Sequence, residues 1–206
     1  ALVKDAGMAS EYFPNQSFFW YHLGYGNVLK KEYQEAIYAL EEAKSLAFDN
    51  LELQKHILTL LGDSYNALKQ YPDSEKSYEE VLKIDQNYAE VLNNYSYFLA
   101  MRTSNLDKAK TLAERLTTLY PSNLEYIDTH SWVLFQRGEF EAAKELMEKG
   151  VENSATISGT VLEHYGDILF KLGDKEMAVE QWEKAKLSGD ATIHIDQKIL
   201  RQQYVE

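Results

Sequence analysis

The 206-residue chain contains no cysteine. That excludes disulfide frameworks, thiolate zinc sites and cysteine nucleophiles together, and leaves the redox compartment open. Proline (3) and glycine (10) are both scarce, so helix interiors meet few breakers. No apolar run approaches the ~18 residues of a membrane span, so direct membrane insertion by this chain is not expected. Positive charge is short as well: Lys+Arg total 21 against 33 Asp+Glu, a formal net charge of −12 at pH 7. A field of that sign repels phosphate backbones and removes nucleic acid from the expected partners. Residues 1–13 lack the pattern of a signal peptide, with no basic stretch before an apolar core and no initiator methionine. Leu2, Ala6, Ala9 and Phe13 nevertheless recur at helical spacing. The expectation is a chain that starts inside a helix, as an excised fragment of a longer protein.

What is present is a helix-forming composition, with 45 % hydrophobic and 26 % charged residues, in the range of ordinary globular proteins. Internal repetition organises it. Leu23-Gly24 and Leu61-Gly62 are each followed, twelve residues after the glycine, by a small residue, Ala36 or Ser74. Seven residues further on stands a compact apolar residue, Ala43 or Val81. Gly138-Glu-Phe140-Glu-Ala-Ala143 leading to Met147 and Gly150, and Gly173-Asp-Lys-Glu-Met-Ala178 leading to Trp182 and Ala185, repeat the theme. Pro14 and Pro121 stand 107 residues apart, which is three periods of ~34 with a few inserted residues around 48–54 and 103–106.

This pattern resembles the tetratricopeptide repeat, a helix–turn–helix unit of ~34 residues. The resemblance implies an all-α, right-handed α-solenoid with a C-terminal capping helix. The expected organisation is a single array: a truncated half repeat over 1–16, repeats over 17–54, 55–88, 89–123, 124–158 and 159–190, and a cap over 191–206. In physical terms, Ala36, Ala109, Ala143 and Ala178 let the second helix of a repeat approach the first, and Trp20, Leu58, Leu92 and Leu162 fill the gap. Gly24, Gly62 and Gly166 lie inside first helices, each costing ~1 kcal/mol against alanine, where a neighbouring helix must come close. In the cap, Ile195, Ile199 and Leu200 are expected to fold back with Lys198 and Arg201 outward. Leu2, Val3, Ala6 and Met8 at the other end are expected to expose an apolar strip, prone to self-association.

No catalytic or metal-binding constellation emerges. The five histidines (22, 56, 130, 164 and 194) form no H-E-x-x-H or similar spacing. His130 reads as a core residue. Gly24-Tyr-Gly26 lacks both a third glycine and a preceding strand. The chain is expected to be no enzyme, with no cofactor.

The resemblance implies a concave surface lined by the first helix of each repeat, on which a partner segment lies. Its fifth and ninth positions fall on Tyr21 and Tyr25, Thr59 and Asp63, Asn93 and Tyr97, Asp128 and Trp132, and Glu163 and Asp167, with Phe135 and Phe170 next in line. This lining is aromatic and acidic. It lacks the Lys, Arg and Asn set with which related chaperone-binding domains hold a carboxylate, so the expected partner is a basic or amphipathic peptide or protein segment. The function implied is a protein–protein interaction scaffold or adaptor. The alternative is a structural segment whose groove is filled by its own chain. The wording of Asn93–Ala100, Asp128–Leu134 and Glu163–Gly173 is similar to the C-terminal repeats of long bacterial tetratricopeptide proteins, which points to a bacterial cell-envelope protein.

Overall fold

The computed structural model describes residues 1–205, and among them twelve α-helices and no strand. In chain order these are α1 (Leu2–Tyr12), α2 (Ser17–Leu29), α3 (Tyr33–Leu46), α4 (Leu51–Ala67), α5 (Tyr71–Ile84) and α6 (Ala89–Met101), then α7 (Leu106–Leu119), α8 (Leu124–Gln136), α9 (Phe140–Glu152), α10 (Gly159–Lys171), α11 (Lys175–Ser188) and α12 (Ile195–Arg201). The all-α repeat solenoid expected from the residue spacing is the fold observed. The chain divides into two compact units, Ala1–Tyr95 and Ser96–Glu206.

Local chemistry sets the helix limits. Asn50, Asn123, Ser158 and Asp174 each cap a helix start, their side-chain oxygens accepting the backbone N–H three residues on. Pro72 sits in the first turn of α5, where its missing N–H costs nothing. The turns within helix pairs share one left-handed residue: Lys31, Lys69, Thr103, Gly138 and Gly173, with φ of 62°, 61°, 49°, 77° and 88°. Glycine takes that conformation freely, whereas a residue with a Cβ pays roughly 1 kcal/mol for it. The turn geometry is therefore a property of the repeat that three of the five turns keep against local preference.

In the first unit α2 packs on α1 and α3, and α4 on α3 and α5. Ala36, Ala43, Leu40, Ile57, Leu61, Tyr78 and Val81 are buried there. In the second unit α8 packs on α7 and α9, and α10 on α9 and α11, around Ala109, Ala143, Met147, Ile168, Ala178 and Trp182. The contact that fixes each pair lies sixteen residues after the glycine position. A Cβ added at Gly62 would lie closer than 3.0 Å to the Tyr78 ring, one at Gly166 would meet the Trp182 indole, and one at Gly24 would meet Leu40. The small residue at twelve completes the joint, Ser74 Oγ donating to the Gly62 carbonyl at 2.7 Å. Trp20 differs from Leu58 and Leu92: it is only half-buried, its indole N–H donating to the Pro14 carbonyl.

The C-terminal end departs from expectation in orientation. Ile195 is buried, but Lys198 points inward at 4 % exposure, while Leu200 is 85 % exposed. Charge decides this, since two carboxylates wait on α10 at the place where the lysine lands.

Candidate functional site

In the second unit, helices α6, α8 and α10 and the segment after α11 enclose a cavity of about 410 Å³. Tyr97, Trp132 and Asp167 stand at intervals of 35 residues on the three helices, and all three line it. Equivalent positions on stacked repeats align into a stripe, which is why a regular spacing converges on one place. Glu163 and His164 from α10, and Thr192, Lys198 and Tyr204 from the C-terminal segment, complete the wall.

The rings form a stack. Trp132 lies between Phe135 (ring centroids 4.7 Å apart) and His164 (4.1 Å), both nearly parallel to it. Phe135 thus supports the cavity from behind rather than facing it. His164 donates from Nδ1 to Asp128, 2.9 Å from Oδ1. Burial on its own would lower the histidine pKa, but the charge and hydrogen bond of Asp128 outweigh it and hold it above the ordinary value. Trp132 is 6 % exposed and its Nε1–H finds no hydrogen-bond partner among the described residues. A buried donor without an acceptor is costly and rare in folded proteins.

Acidic positions of α10 are neutralised from within. Lys198 Nζ lies 2.8 Å from Glu163 Oε1 and 2.6 Å from Asp167 Oδ2. Glu163 also accepts from the Thr192 backbone N–H at 2.7 Å and its hydroxyl at 2.6 Å, and Asp167 from the Trp182 indole at 3.0 Å. Burial raises Glu163, yet hydrogen bonds from Lys198 and Thr192 outweigh it and hold its carboxyl below the usual range. At Asp167 burial wins against the pull of Lys198 and His164, and pushes the pKa up to about 6. Of the acidic residues singled out in the sequence, Glu163 and Asp167 line this cavity with their charge already paired, and the cation that pairs them is supplied by α12.

The first unit distributes its expected residues differently. Tyr21 and Tyr25 stack with centroids 6.3 Å apart, Tyr25 being exposed. Asp63 accepts from the Tyr78 hydroxyl at 2.5 Å and from Asn94 Nδ2 at 3.2 Å, and burial pushes it up to about 6. Asn93 is half-buried beside Asn94. Thr59 is not at a surface at all: it is 1 % exposed, its hydroxyl donating to the Lys55 carbonyl. Phe170 tilts against Trp182, with the Lys175 ammonium 5.8 Å from its ring centre. Sequence reasoning overlooked His164, Thr192, Lys198 and Tyr204. His164 neighbours a position already singled out, and that adjacency was its signal; the other three lie outside the repeat, where periodicity says nothing.

Among the described residues no group of three or more His, Asp and Glu is disposed to hold a metal, and no helix is long and apolar enough to cross a membrane. Comparison with known proteins places the fold. A family model described as tetratricopeptide repeat matches residues 56–88. No curated protein matches the chain in sequence. MamA from Desulfovibrio magneticus superposes with a TM-score of 0.69 at 16 % identity, over 84 % of this chain and 94 % of that one. A tetratricopeptide repeat protein from Parabacteroides merdae gives 0.73 at 18 % identity, over 97 % and 76 %. PilF from Pseudomonas aeruginosa gives 0.71 at 20 % identity, over 90 % and 82 %. Repeats of this kind are in general non-catalytic scaffolds for protein partners. With one repeat matched by the family model and a solenoid shared with these structures, the fold of the chain is that of a tetratricopeptide-repeat solenoid.

Proposed function

We propose that the chain is a protein-interaction module without catalysis of its own, and that the cavity of the second unit receives a segment of its partner. One observation carries this: the unpartnered Nε1–H of Trp132 in the wall of a cavity lined by Tyr97 and Tyr204. A peptide carbonyl supplies the missing acceptor, and the aromatic walls suit an aliphatic or cationic side chain. The wall holds Glu163 and Asp167, which favours a basic or amphipathic segment over an acidic one. The reading includes a bacterial cell-envelope setting, on the resemblance of residues 93–173 alone.

The second reading, a groove filled by its own chain, is favoured by Lys198 between Glu163 and Asp167. A titration separates the two. Basic and acidic peptide pools are titrated against the full chain and its Trp132→Phe variant, which keeps a stacked ring and removes only the donor. Saturable binding of basic peptides, weakened three- to tenfold by the loss of one hydrogen bond, is the expected result. Binding unaffected by the substitution, or no binding by either chain, overturns the cavity as the site.

A further inference from the structure

We infer that Glu163 and Asp167 form a lysine socket for a partner segment, and that the chain's own residues 192–205 occupy it as a built-in competitor. The inference rests on the peptide-binding reading above and deepens it. Three observations carry it. First, the socket is built: Glu163 and Asp167, one helical turn apart on α10, are 0 % and 1 % exposed, and a lysine ammonium sits between them with both ion pairs under 3 Å. Second, the segment that supplies the lysine has little apolar anchorage. Of its aliphatic side chains Ile195 alone is buried, at 8 % exposure, while Ile193 is 89 % and Leu200 85 % exposed. Tyr204 adds a ring contact with Phe135 at 5.7 Å and lies under Lys171 and Lys198, with Nζ 4.5 and 5.4 Å from its centre. Third, Trp132, a lining residue of the adjoining cavity, keeps a buried Nε1–H with no partner among the described residues, the 192–205 segment included.

Those observations describe a site filled by a ligand that fits its charge and leaves a polar group unserved. A segment with little apolar anchorage, held mainly by an ion pair, can leave at modest cost, because the carboxylates and the ammonium are then rehydrated together. A partner segment that presents a lysine to Glu163 and Asp167 and a backbone carbonyl to Trp132 makes both contacts at once. It therefore competes with the chain's own lysine on favourable terms. The thermodynamic consequence is that apparent affinity is reduced by the fraction of chains in which the socket is occupied in cis. The partner class is a lysine-bearing peptide segment of another protein.

The probe is a fluorescein-labelled synthetic peptide with the sequence of residues 192–205, beside an analogue with glutamine for its lysine. Anisotropy titrations use the full wild-type chain, Lys198→Gln, and Lys198→Gln combined with Glu163→Gln and Asp167→Asn. Expected is saturable binding of the lysine peptide to Lys198→Gln, at least tenfold tighter than the glutamine analogue and at least fivefold tighter than to wild type, with the lysine preference lost in the triple variant. Equal binding of the two peptides, or equal binding by wild type and Lys198→Gln, overturns the inference. Hydrogen exchange on the wild-type chain needs no substitution: excess unlabelled lysine peptide should speed exchange of the 192–205 amides, and unchanged exchange at saturation overturns displacement. The two readings fail separately. Peptide binding that is sensitive to Trp132→Phe but indifferent to lysine sinks the socket and leaves the peptide-binding cavity standing. Absence of any peptide binding, with the 192–205 amides exchanging freely in Lys198→Gln, sinks both.

Discussion

His130 carries its imidazole among the packed helices of the second unit, 9 % exposed, with Nδ1 3.0 Å from the Thr117 hydroxyl. Burial, helped by the charge of Lys110, pushes its pKa down to about 4 from the ordinary value of 6.5. The folded state therefore binds a proton less readily than the unfolded chain. Its contribution to stability is complete above pH ~6.5 and is lost as pH falls toward ~4, by on the order of 2 kcal/mol. His164, one repeat later, has the opposite sign: raised by Asp128, its contribution is present below the unfolded pKa and lost as pH rises through the folded one. The two histidines thus pull the pH profile in opposite directions, and a wild-type curve alone does not separate them. Urea unfolding of wild type and His130→Asn at pH 7, 5.5 and 4.5 does. The stability gap between the two should shrink by roughly 2 kcal/mol across that range, and parallel curves would show that His130 titrates as in the unfolded chain.

Helix pairs are held by a joint in which one helix gives up its side chain and the other fills the space. Gly166 faces Trp182, which is 0 % exposed, so Gly166→Ala gains ~1 kcal/mol of helix propensity and forces a fully buried indole to move. Displacement dominates, and the variant should lose about 1–3 kcal/mol. Ala143→Leu, at a position with 0 % exposure, should lose a similar amount, while Glu141→Leu and Lys175→Leu at exposed positions should stay within about 0.5 kcal/mol. Denaturant midpoints of the four variants check this, and equal effects would mean that the joint is misplaced. Much of this level was legible in the residues. The twelve-residue step from Gly24 to Ala36 and from Gly62 to Ser74 marks a real contact, because helix periodicity and close approach both constrain it. The sixteen-residue step to Leu40, Tyr78 and Trp182 was present in the same residues and went unread, since those side chains differ in shape and share only their place.

Across the whole molecule, legibility ends where the period ends. Tyr97, Trp132 and Asp167 meet around one cavity because their spacing is that of the repeat. Lys198 and Thr192 meet Glu163 by the path of a segment that follows no period, and Lys198 looked like a surface lysine until two buried carboxylates were seen to face it. Charge also acts at this scale. With a formal net charge of −12, negative charge is in excess over the molecule, and self-repulsion opposes the compact state. Exposed charges are screened over about 10 Å at 0.1 M salt, whereas a buried ion pair is screened far less. Surface pairs such as Lys184–Glu180 and Lys30–Glu32 contribute little individually, so their loss to screening is the smaller effect. Raising NaCl from 10 to 150 mM at pH 7 should therefore raise the thermal midpoint by a few degrees, since for a chain of this size ~1 kcal/mol corresponds to about 2–4 °C. The 192–205 amides should keep their protection over the same range, because the Lys198 pairs with Glu163 and Asp167 are buried and little screened. A thermal midpoint that falls with added salt would mean that surface pairing, and not repulsion, governs this molecule's electrostatics.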